Sequence, residues 1–77
     1  MNCETIGNRA YNEIRKRARK NGVSPYQEAE KIGILYSAFY DWGKNGNPSA
    51  YYLQQMALAG YDVIYILTGK ENKNVTD

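Results

Sequence analysis

The chain has 77 residues, ten Lys and Arg against eight Asp and Glu, a formal net charge of +2, no histidine and one cysteine. Such a length suits one small domain whose single core is barely sufficient by itself, so association or ligand binding is expected to add stability. With Cys3 alone there is no intramolecular disulfide, and without histidine or clustered thiols there is no metal-ligand set, so no metal or cofactor is expected.

Taken in order, the first helix is expected from near Thr5 to Lys20, because Ile6, Ala10, Ile14 and Ala18 recur at every fourth position and Tyr11 widens the stripe. Asn21-Gly22 ends it. Arg15, Lys16, Arg17, Arg19 and Lys20 crowd its last turns, either as a solvated helix end that complements the dipole or as part of a phosphate-facing field. Val23 reads as a staple residue. Ser24 can cap, Pro25 fits the first helical position and Gln27 stands where a capping box needs it, so a second helix runs from Pro25 to Ile32.

Gly33, suited to the left-handed conformation, stops that helix. The third runs from about Tyr36 to Gly43, with Ala38, Phe39 and Trp42 facing inward and Tyr36, Ser37, Tyr40, Asp41 and Lys44 together on the opposite side. For Tyr36 and Tyr40 the competing expectation is partial burial against helix neighbours, and for Ser37 a local helix bond. Lys44-Asn45-Gly46-Asn47 is turn chemistry. Asn47-Pro48 repeats the cap-then-proline start, which puts a fourth helix at Pro48 to Ala59 with Tyr52, Leu53, Met56 and Ala57 inside. Gly60 ends it, Asp62 caps again, and a short fifth helix covers Val63 to Leu67. Residues 70–77 are polar and without period, so they are expected as a disordered tail beyond a domain of residues 1–69.

Two blocks resemble a known family. Ala29, Gly33, Ile34 and Trp42 stand where two helices cross, turn and lock together, and Gly60 to Gly69 is similar to the segment that closes many phage DNA-binding domains. In this order and spacing they resemble the lambdoid phage repressor and Cro proteins of the Xre-like helix-turn-helix class, from about Ile6 to Gly69. The resemblance implies an all-α fold, a compact bundle of five short helices with a helix-turn-helix. It also implies a DNA-binding transcriptional regulator of a phage or prophage, of the Cro type, acting as a homodimer on a palindromic double-stranded operator. Carried over position by position, Tyr36, Ser37, Tyr40 and Asp41 match the base-edge positions, Lys44, Asn45 and Asn47 the loop that grips phosphate, and Tyr26 with the amides near Pro25 the backbone contact of the preceding helix.

The chain departs from that pattern at several points. Pro25 replaces a phosphate-binding glutamine, Leu35 stands where a capping serine or threonine often begins the reading helix, and Ala18 and Gly43 occupy the two ends of a frequent arginine–glutamate pair. Glu28 stands where an apolar residue usually faces the first helix. It is expected either to pair with Arg17 or another member of the basic run, or to stay in water while Tyr26 fills the space.

Tyr61, Ile64, Tyr65 and Leu67 are the candidate dimer interface, since five apolar residues in succession cannot all face one core; the competing expectation is that they close that core. Without histidine or a carboxylate pair in a pocket no enzyme is expected, and no small-molecule substrate. The apolar run Val63 to Leu67 is far short of a membrane span and the N-terminus lacks a signal-peptide core, so the expectation is no membrane and a bacterial cytoplasm, nucleoid-associated. The alternative function is a protein-interaction module on the same fold, antitoxin-like or regulator-binding, using Tyr36, Tyr40, Tyr51 and Tyr52 on a protein partner.

Overall fold

The structure, a computed structural model, describes residues 4–70; Cys3 and the segment 71–77 lie outside the described residues. Among the described residues every regular element is helical: α1 (Ile6–Asn21), α2 (Pro25–Lys31), α3 (Tyr36–Trp42), α4 (Ala50–Leu58) and α5 (Val63–Thr68). No helix in this range is long and apolar enough to cross a membrane.

Local capping explains most of the boundaries. Thr5 accepts from the Asn8 amide at 3.0 Å and the Asn8 side chain accepts from the Thr5 amide, which opens α1. Ser24 and Gln27 make the same reciprocal pair at the start of α2, at 3.1 and 3.0 Å. Gly33, with φ of 84°, turns the chain after α2, and the Ile34 amide then donates back to the Ala29 carbonyl at 3.0 Å. Leu35 gives α3 no side-chain cap, as its apolar chemistry dictates.

Ile14, Phe39, Met56 and Ile66 are fully buried, one each from α1, α3, α4 and α5, while Ala29 brings α2 close enough to join them. Burial of each large side chain is worth about 1.5–3 kcal/mol, so this is where the fold gains its driving force. Tyr11 stacks on Phe39 with centroids 4.6 Å apart and covers Gly43, where a Cβ would stand 2.8 Å from the ring. Of the two positions of the missing charge pair, Gly43 is thus covered by an aromatic ring and Ala18 is wholly buried.

The fourth helix starts later than its Asn47-Pro48 signal suggests. Asn47 is drawn away by the first helix: its side-chain oxygen accepts from the Gly7 amide at 2.9 Å, and Ser49 caps α4 instead, accepting from the Tyr52 amide at 3.3 Å. The approach is close. A Cβ on Gly7 would stand 1.8 Å from the Gly46 carbonyl oxygen. Of the inner face expected for α4, Met56 is buried and Tyr52 and Leu53 are half-buried, but Ala57, one position round the helix from Met56, is exposed.

Two arginines of α1 bind the other end of the domain. Arg9 donates through Nε to the Ile66 carbonyl at 2.8 Å and through a terminal nitrogen to the Leu67 carbonyl at 3.2 Å, satisfying acceptors at the end of α5. Arg17 does the same for α4, donating to the Ala59 carbonyl at 2.7 Å while its guanidinium lies 3.7 Å over the Tyr61 ring. The basic run is therefore split, with Arg17 turned inward and Arg15, Lys16, Arg19 and Lys20 exposed.

Glu28 is buried, contrary to the expectation of a wet carboxylate, and Arg17 is not its partner. Asn21 donates to its Oε1 at 3.1 Å and the Lys31 ammonium lies 3.4 Å away, so a neighbouring amide and a lysine one helical turn on offset its desolvation. Arg17 instead donates to the Ala59 carbonyl at the end of α4.

Candidate functional site

The helix pair α2–α3 presents an outer face built by the inner one. Because Phe39 and Trp42 are locked in the core, helical geometry turns Tyr36, Ser37, Tyr40 and Asp41 outward, and all four are exposed. Tyr36 and Tyr40 are 63% and 45% exposed, which decides against their burial. Ser37 is exposed, with no hydrogen bond to another described residue.

The tyrosines order one another. Tyr26, on α2, rests its edge on Phe39 at 5.2 Å and meets the Tyr36 ring at 4.7 Å; Tyr36 and Tyr40 follow with centroids 6.1 Å apart and planes only 15° from parallel. The Lys44 ammonium lies 5.0 Å over the Tyr40 ring. The Tyr40 hydroxyl beside it raises the Lys44 pKa above its ordinary 10.5, so this cation is charged at any physiological pH. Partial burial, with Tyr11 and Tyr36 adding to it, raises the Tyr26 pKa and keeps that hydroxyl neutral.

The loop between α3 and α4 extends this face. The amides of Lys44 and Gly46 both donate to the Asp41 carbonyl, at 3.0 and 2.8 Å, which curls the loop tightly onto the end of α3. The Asp41 carboxylate lies within the curl, where a Cβ on Gly46 would meet its Oδ2 at 2.3 Å. Lys44 and Asn45 are exposed, whereas Asn47 already spends its side-chain oxygen on Gly7. At the start of α2 the Ser24 and Gln27 amides are engaged in the capping box, so neither is left for a phosphate.

The candidate association patch is divided. Tyr61 is buried at 7% exposure and belongs to the core, Tyr65 is half-buried, and only Ile64 and Leu67, at 47% and 42%, face outward. The Tyr61 backbone explains the difference: its amide donates to the Met56 carbonyl at 3.0 Å, folding the residue back under α4. Leu58, 76% exposed near the end of α4, is a further large apolar side chain at the surface. Among the described residues no group of His, Cys, Asp and Glu gathers in a metal-binding arrangement.

Comparison of the chain with protein-family models, curated proteins and solved structures gives no match.

Proposed function

We propose that the chain is a sequence-specific regulator of transcription that binds double-stranded DNA, with α2 and α3 as a helix-turn-helix of the lambda-repressor-like kind and α3 as the reading helix. The observation that carries this reading is the exposed outer face of α3 running without a break into the Lys44–Asn45 loop, on a helix whose opposite face is fixed by Phe39 and Trp42. A short helix held rigidly from behind fits the major groove, and a cation at its end suits the flanking phosphate. The type of regulator that agrees best with the resemblance is a Cro-like phage or prophage repressor on a palindromic operator. Ile64 and Leu67 are the residues through which two copies associate.

Reading is unusual on this face. No arginine, lysine or glutamine lies between Tyr36 and Asp41, so the frequent bidentate contacts to guanine and adenine are absent there. Ser37 and the tyrosine rings supply direct contacts, thymine methyls being the natural partner of a ring, and DNA shape supplies the rest. Affinity then rests on Lys44, the loop and the exposed cations of α1. Binding of the protein to the DNA flanking its own gene, titrated over salt, tests the proposal: log affinity should fall with log salt by about 0.9 per phosphate neutralised. A protein-interaction module is the second reading, favoured by the exposure of Tyr36, Tyr40 and Tyr51; salt-insensitive behaviour and no DNA binding would select it.

A further inference from the structure

The row of rings on α2 and α3 has a geometry that groove reading does not require. It starts at Phe39 in the core and passes through Tyr26, Tyr36 and Tyr40, each ring within 6.1 Å of the next, to end under the Lys44 ammonium. At the other end Tyr11 stacks on Phe39, and the Arg15 guanidinium lies 5.7 Å over the Tyr11 ring. Lys44 therefore stands at the outer end of an aromatic row whose inner end is anchored on the buried Phe39, and Tyr36 and Tyr40 are 63% and 45% exposed. Their mutual contacts fix them before any ligand arrives, which lowers the entropy lost on binding.

Unpaired nucleotides need this combination. Every base has a π-face that stacks on an aromatic ring, and the strand linking the bases needs cations spaced along it. We infer that the Tyr26–Tyr36–Tyr40 row, closed by Lys44, binds single-stranded DNA by stacking bases on the exposed Tyr36 and Tyr40 rings, with Lys44 neutralising a phosphate. The inference rests on the proposed nucleic-acid-binding face but assigns it a second substrate. A base held in a duplex offers only its edge, whereas an unpaired base offers a π-face that an exposed ring can stack on. Duplex and single strand then compete, since Tyr40 and Lys44 serve both.

The test measures fluorescence anisotropy of a labelled dT15 oligonucleotide, of an abasic strand of the same length, and of a duplex from the DNA flanking the gene, with each protein checked for native helicity by circular dichroism. Wild type should bind dT15 more tightly than the abasic strand. Tyr36→Ala and Tyr40→Ala should each weaken dT15 binding by roughly 5- to 150-fold, while Tyr36→Phe, which keeps the ring, should retain it. Equal affinity for dT15 and the abasic strand, or folded alanine variants that bind dT15 like wild type, would overturn the inference. Binding of dT15 without binding of the duplex would sink the operator reading and leave this one standing; duplex binding without dT15 binding does the reverse.

Discussion

Arg17→Met separates the two roles open to the basic end of α1. In the folded chain the Arg17 guanidinium donates to the Ala59 carbonyl at 2.7 Å and stands 3.7 Å over Tyr61, so one side chain holds α1 to the junction of α4 and α5. A hydrogen bond from a charged donor contributes about 1.5–3 kcal/mol, and a partly desolvated cation–π contact about 0.5–2 kcal/mol. Both use the same guanidinium and are not additive, and methionine keeps the apolar stem, so the expected loss is about 2–3 kcal/mol. For a chain of this size total stability is roughly 4–12 kcal/mol, and each kcal/mol moves Tm by about 4–8 °C. Thermal unfolding followed by circular dichroism should therefore show Tm lower by roughly 10–20 °C for Arg17→Met. Arg15→Met, which removes only an exposed cation 5.7 Å from Tyr11, should shift it by a small fraction of that. An Arg17→Met protein that melts within about 2 °C of wild type would refute the tether, since that corresponds to under about 0.5 kcal/mol.

Tyr61→Phe should raise stability by about 1 kcal/mol in denaturant titration, because the buried Tyr61 hydroxyl has no protein partner while the ring stays beneath Arg17. Burial also raises the Tyr61 pKa above 10.0 against the opposing pull of Arg17, so the folded chain holds this proton more tightly than the unfolded one. Its contribution is accordingly intact below about pH 10 and is lost as pH rises towards the folded value, a decline that Tyr61→Phe should lack. Gly7→Ala should cost roughly 3 kcal/mol or more, since its Cβ would meet the Gly46 carbonyl oxygen at 1.8 Å; an unchanged melting curve would show that the loop is not seated there. A double-mutant cycle on Asn21 and Glu28 should give a coupling of about 0.5–1.5 kcal/mol, and the same cycle on Arg17 and Glu28 close to none.

What the sequence disclosed and what it concealed divide along the range of the interactions. The starts of α1 and α2 are written within four residues, in Thr5 and Asn8 and in Ser24 and Gln27, and the stripe Ala10–Ile14–Ala18 carries its own period. Such signals survive without knowledge of the rest of the chain. The start of α4 does not, because Asn47 and Ser49 are both good caps and the choice is made by Gly7, forty positions away. The same holds for charge. Arg15 and Arg17 are indistinguishable by composition, yet of the two it is Arg17 that meets the end of α4, and Glu28 takes Asn21, a partner from outside the basic run. In the candidate site, the outward set on α3 follows from helical period alone, so Tyr36, Ser37, Tyr40 and Asp41 were legible. The contact of Tyr26 with Tyr36 depends on how α2 crosses α3 and was not, and neither was the burial of Tyr61, which is set by the turn after α4.

The most direct test of the central claim is a binding-site selection from random duplex DNA with wild type, Tyr40→Ala and Lys44→Ala, followed by salt titration of the selected site. If α3 and its following loop contact DNA as proposed, wild type enriches a defined site, Tyr40→Ala changes the preferred sequence at about 1–3 kcal/mol per lost base contact, and Lys44→Ala weakens selected and random DNA alike with a salt slope lower by about 1. If instead Tyr40→Ala retains the wild-type ranking of sites and Lys44→Ala leaves affinity and slope unchanged, this face does not read DNA.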